Sequence, residues 1–128
     1  MLVRLGITAI VLMLVVGCGG LDAIGKPAHS DATPPAWGAS AEEEEEWARA
    51  LEDVYERGYQ DGRKASCDYF KKLTTGEASQ RTMRSEYEER REKGRKTYES
   101  SRLQRQYLEG WEEGEATSGG LMLMGQSC

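Results

Sequence analysis

The chain has 128 residues, 30% of them charged, with 17 Lys and Arg against 22 Asp and Glu and a net charge of −5. That length supports one small domain, and the acidic balance excludes the basic footprint of a nucleic-acid binder. One histidine and three cysteines exclude a Cys/His zinc quartet once the roles of the cysteines below are assigned.

Met1 to Cys18 reads as a processing segment. Arg4 supplies a positive start, and Leu5 to Val16 is an apolar run shorter than the roughly 20 residues a membrane-spanning helix needs. It ends in Val15-Val16-Gly17-Cys18. This order of charge, apolar core, small residue and cysteine resembles the bacterial lipoprotein signal. The resemblance implies cleavage before Cys18, lipidation of Cys18 and anchoring to the membrane by acyl chains. Gly19 rather than Asp follows the cysteine, which in that family implies an outer-membrane, periplasm-facing location. Loss of residues 1–17 removes Arg4 and no acid, leaving 16 basic and 22 acidic side chains and a net charge of −6.

Residues 18–39 form the lipidated cysteine and a flexible tether, rich in Gly, Pro, Ala and Ser, with Pro34-Pro35 ruling out a helix. The folded domain is expected over 40–115. Ser40-Ala41-Glu42-Glu43 is a capping box, and Glu42 to Glu46 suit the positive end of a helix. Trp47, Leu51, Val54, Tyr55, Gly58, Gly62, Ala65, Tyr69 and Leu73 then share one helical face, up to a stop at Thr74-Thr75-Gly76. A second helix is expected from about Glu77 to Glu99, with Met83, Tyr87, Gly94 and Tyr98 on its face. Ser101-x-x-Gln104 predicts a third, short helix, followed by an irregular tail over 116–128 whose Leu121 to Met124 dock on the helices. No period-two apolar run competes outside the first segment. The expected fold is therefore all-α: an antiparallel helical hairpin with a third short helix and a tether.

Two stretches stand out. Tyr55 to Gly62 reads YERGYQDG and Tyr107 to Gly114 reads YLEGWEEG. Each interior glycine costs roughly 0.8–1.0 kcal/mol relative to alanine, so the pair of motifs weakens its helices unless close packing compensates. A hairpin about Gly76 predicts that Gly58 faces Gly94, Val54 faces Tyr98 and Ala65 faces Tyr87, making Gly58, Gly62 and Gly94 a helix crossing. The second copy has no such partner within a hairpin. It either packs as a third helix or meets another protein, and Tyr107, Gly110, Trp111 and Gly114 are the candidate partner-binding residues. In these stretches and the lipobox the chain is similar to small helical lipoproteins of the bacterial envelope, a similarity that carries no activity with it.

Little here supports chemistry. His29 falls in the tether, leaving the helices without an imidazole base. In an oxidising compartment Cys67 and Cys128 form a candidate disulfide, closing a loop of about 62 residues and contributing about 4 kcal/mol in the chain-entropy model; the alternative is intermolecular pairing through the C-terminal cysteine. No phosphate loop or converging carboxylate pair appears. The expectation is a non-enzyme with no metal, cofactor, nucleic acid or small-molecule substrate. Arg90, Arg91, Lys93, Arg95, Lys96, Arg102 and Arg105 form a basic middle, read either as a solvated face balanced by glutamates or as attraction to an anionic surface. The functional expectation is a lipid-anchored accessory protein of the envelope, tied to secretion, phage or plasmid systems, that binds another envelope protein. The alternative is a structural lipoprotein that associates with itself.

Overall fold

The computed structural model describes residues 26–126, and their regular structure is entirely helical: α1 Ala41–Thr75, α2 Gln80–Lys96 and α3 Ser101–Leu123. The lipobox, Cys18, the first part of the tether and Cys128 lie outside the described residues.

The helix ends follow from local chemistry. Ser40 accepts from the Glu43 N–H at 3.3 Å and the Glu43 carboxylate accepts from the Ser40 N–H at 2.8 Å, completing the capping box. α1 stops where Gly76 takes φ 69°, a left-handed conformation that closes the helix by donating to the Lys72 carbonyl. Ser79 caps α2 by accepting from Thr82 N–H. The cap of α3 is Ser100, one residue before the expected box, and accepts from Arg102 N–H. Gln104 turns its amide to the Tyr98 carbonyl instead, 2.8 Å away.

The expected hairpin is corrected in two respects. α2 does run back along α1, but the partners of Asp68 and Lys72 are Arg90 and Glu86, not the Arg84 and Gln80 of the expected register. More importantly, the intimate neighbour of α1 is α3. A Cβ on Gly58 would strike Tyr107, one on Gly62 would strike Trp111, one on Gly110 would strike Tyr55 and one on Gly114 would strike Tyr59. These partners advance together along both helices, so α1 and α3 are parallel, with α2 as the return between them. Loop-sharing neighbours usually pack as the closest pair. Here the glycines override that tendency because they let two backbones approach as no side chain could.

The third helix is also longer than expected: 23 residues, ending at Leu123. Residues 116–123 therefore continue the helix, and the irregular tail begins only at Met124. The core is formed by Val54, Ala65, Tyr98, Leu103, Tyr107 and Trp111, with Leu51, Tyr87 and Leu108 packed at its edge.

The described part of the tether is not free. The Ser30 carbonyl accepts from Glu99 N–H at 2.8 Å, and Ser30 is buried. His29, assigned by the sequence to the flexible tether, lies with Nε2 3.0 Å from an Asp53 carboxylate oxygen and adopts φ 62°. Lys26 pairs with Glu99, and Ala32 packs on the core. Residues 26–32 are thus tied to the middle of α1 and to the α2–α3 turn. Short polar residues that satisfy backbone groups at a turn gave this segment the composition of a linker.

Candidate functional site

The two glycine motifs meet each other. They lie 52 positions apart, from Tyr55 to Tyr107, and the structure pairs them at that offset. Gly58 meets the Tyr107 carbonyl while Gly110 meets the Tyr55 carbonyl; Gly62 meets the Trp111 carbonyl while Gly114 meets the Tyr59 carbonyl. At all four glycines an added Cβ would come well within 3.0 Å of backbone oxygen. Helix backbones this close bring Cα–H groups onto facing carbonyls, at about 0.5–1 kcal/mol each, which offsets the helix penalty of the glycines.

The pairing is reciprocal in its side chains too. The Tyr107 hydroxyl donates to Asp61 at 3.0 Å, and the Tyr55 hydroxyl donates to Glu113, the residue matching Asp61 in the other copy. Leu51 matches Leu103, and Ser66 matches Ser118, both serines being buried. Ser118 donates to the Arg63 and Gly114 carbonyls. The repeat therefore runs from Leu51 to Ser66 and from Leu103 to Ser118, beyond the eight residues of each glycine motif. The signal was the common offset of 52 shared by all these positions. α1 and α3 form a pair related by an approximate two-fold axis along the helices.

α2 breaks that symmetry. It covers the side on which α3 presents its rings. Tyr107 and Trp111 are buried, at 1% exposure each, with Trp111 Nε1 donating to the Tyr87 hydroxyl at 2.9 Å. Gly94 of α2 makes room for the tip of the Tyr107 ring, and so does not cross Gly58. Burial, reinforced by the Asp61 charge, pushes the Tyr107 phenol above its usual range. The corresponding Tyr55 and Tyr59 of α1 are only half-buried. The hydrogen bond to Glu113 raises the Tyr55 phenol to about 12.

Tyr107, Gly110, Trp111 and Gly114, the candidate partner-binding residues, are thus all buried in the seam with α1. Gly58 and Gly62 do mark a helix crossing, but with α3. Cys67 sits half-buried on α1 and is not a free thiol. The basic middle is largely neutralised: Arg90 pairs with Asp68, Arg91 with Glu112, and Arg95 and Lys96 with Glu92.

A different surface is left for function. Past Ser66 and Ser118 the helices part around a cleft of about 800 Å³. Its apolar lining is Tyr69, Phe70 and Tyr87, with Ala116 and Gly119 on α3. Phe70 and Tyr87 each meet Tyr69 edge-on, with ring centroids 5.8 and 6.2 Å away. Gln80, Arg81, Arg84, Glu88 and Glu115 add polar groups. Burial, then the hydrogen bond to Glu115, raises the Tyr87 phenol. Glu88 lies 3.9 Å from Arg91. Arg81 and Arg84, by contrast, are exposed and form no ion pair among the described residues. Clefts of this size with an apolar floor and a few polar groups are the usual form of a binding site. Sequence reasoning missed Arg81, Arg84 and Phe70 because the cleft is assembled from three helices and has no linear signature.

Among the described residues no group of three or more His, Cys, Asp and Glu is placed to hold a metal ion, and no helix is long and apolar enough to cross a membrane. The class defined by the coordinates is an all-α domain built on a parallel, glycine-seamed helix pair. No protein-family model matches the chain, and no curated protein or solved structure matches it.

Proposed function

We propose that the chain is a lipid-anchored, periplasm-facing contact protein of the bacterial outer membrane, without catalytic activity, that serves the envelope as an accessory factor. The lipobox-like run ending at Cys18 supports the anchor, and the Cys67–Cys128 bond is proposed as its oxidative staple. The observation that carries the contact role is the aromatic cleft flanked by unpaired Arg81 and Arg84. It is an apolar floor rimmed by two guanidinium groups that form no ion pair among the described residues, and both glycine motifs are already committed to the interior. The docking face is therefore assigned to this cleft and away from Tyr107–Gly114. Secretion, phage and plasmid systems are the settings proposed for it.

The test is photo-cross-linking in intact cells with a benzophenone amino acid replacing Gln80 on the cleft rim. A heterologous envelope protein is expected among the adducts if the partner is foreign. Adducts joining only copies of this chain support the structural, self-associating reading, which an exposed tryptophan beside an acidic run specifically favours. No protein adduct at all would sink both. Replacement of Cys18 by Ser is expected to move the protein from the membrane fraction to the soluble fraction.

A further inference from the structure

The cleft and the most exposed aromatic side chain of the described chain belong to opposite parts of α1. Trp37 is fully exposed, on the bend before the helix where Gly38 takes φ 84°. Large rings left in water are the usual anchors of a contact. Trp37 lies between a docked segment, Ser30 to Ala32, and a capped helix start, which limits the reach of its backbone. Close behind it come Glu42 to Glu46. Glu43 is engaged in the cap and Glu45 pairs with Arg49. Glu42, Glu44 and Glu46 form no ion pair among the described residues.

The two surfaces are complementary. The cleft offers an aromatic floor and two unpaired guanidinium groups; the start of α1 offers an indole and, on one helix face, the unpaired carboxylates of Glu42 and Glu46. Neither carboxylate that lines the cleft pairs with these guanidinium groups: Glu88 lies 3.9 Å from Arg91, and Glu115 is turned to the Tyr87 hydroxyl. The same run of glutamates argues against Trp37 entering an anionic lipid surface, where each acid beside the ring is repelled.

We propose that the Trp37–Glu46 segment of one copy seats in the Tyr69–Phe70–Tyr87 cleft of a second copy. The indole lies on the aromatic floor, and Glu42 and Glu46, one helical turn apart on the same face, meet Arg81 and Arg84. The contact joins two different surfaces, and repeated head to tail from molecule to molecule it builds a row, the open form of a heterologous contact. This rests on the self-associating reading of the chain as a contact protein and names the occupant of its cleft.

The experiment is sedimentation velocity on the full chain, purified in detergent with micelles in large excess over protein. The wild-type chain is expected to give a concentration-dependent series of oligomers, weakened by salt because the charges are at the rim. Trp37→Ala and the double change Arg81→Glu/Arg84→Glu are each expected to weaken association at least tenfold. Both changes are at exposed positions, and circular dichroism checks that the helices persist. Mixing the two variants is the decisive arm: one intact cleft then meets one intact segment, and dimers form but no longer species. A wild-type chain that stays monomeric up to about 1 mM, variants that associate like wild type, or a mixture that forms no dimer each overturn the inference. The Gln80 cross-link separates that failure from failure of the contact role. An adduct to the Trp37–Glu46 peptide supports the inference, an adduct to another protein overturns it while keeping the contact role, and a lipid adduct alone overturns both.

Discussion

The two copies of the glycine motif have almost the same backbone environment and very different side-chain fates. Each pair of glycines is closed by the carbonyls of the other copy, and each first tyrosine reaches a carboxylate on the facing helix. Yet Tyr107 and Trp111 are buried, while Tyr55 and Tyr59 remain half-exposed. The difference is α2, which lies on one side of the pair only. The comparison separates two contributions to the fold: a symmetric seam that depends on having no side chains, and an asymmetric core that depends on large ones.

The largest test of that comparison is at the seam. Gly62→Ala and Gly110→Ala each drive a Cβ into facing backbone, which cannot rotate away as a side chain would. Both are expected to cost about 3 kcal/mol or more, outweighing the roughly 1 kcal/mol that alanine adds to a helix. Urea denaturation measures this, and similar losses at the two sites would uphold the symmetry. A mild effect at either one would break it.

Next comes the asymmetry of the rings. Trp111→Ala is expected to cost about 3–5 kcal/mol, whereas Tyr59→Ala, its counterpart on the uncovered side, is expected to cost about 1–2 kcal/mol. Equal losses would mean that α2 does not make the difference assigned to it.

The hydroxyls give a smaller effect with a pH signature. Tyr107→Phe is expected to lose about 1 kcal/mol by removing a buried donor from Asp61, which keeps only Arg57 among the described residues, and Tyr55→Phe, at the surface, much less. Both phenols are raised in the folded chain, so folding favours their neutral form. Their contribution is complete below the unfolded value near 10 and is lost as pH rises through 10 towards the folded values, about 12 for Tyr55. Thermal melts between pH 9 and 12 are expected to show this fall, shallower in Tyr107→Phe. A fall that is unchanged in that variant would place the titration elsewhere.

The smallest effect has the opposite sign. Nothing lies within 4 Å of a Cβ built on Gly120, a helical glycine beyond the seam. Gly120→Ala is expected to stabilise by up to about 1 kcal/mol, read as a small rise in melting temperature. Destabilisation there would show that the seam extends further than Ser66 and Ser118.

Much of the local structure was written in the chain. The cap at Ser40, the stop at Gly76 and the amphipathic face from Trp47 to Tyr69 are short-range features, set by side chains within a few residues of the backbone they satisfy. The all-helical class follows from them. The unusual glycines were legible as well, because a repeated penalty to helix formation calls for a compensating contact. Their partner was not legible. Wheel positions place Gly58 and Gly62 on a face but do not say which other face arrives there, and the short link at Gly76 favoured α2. Only the tertiary structure brought Tyr107–Gly114 against Tyr55–Gly62. Choosing among helix partners depends on the total contact each pairing allows, and two glycine faces admit a backbone approach that Gly94 alone could not. The cleft was hidden for the same reason: Phe70, Arg81, Arg84 and Glu115 share no spacing and become neighbours only where three helices part.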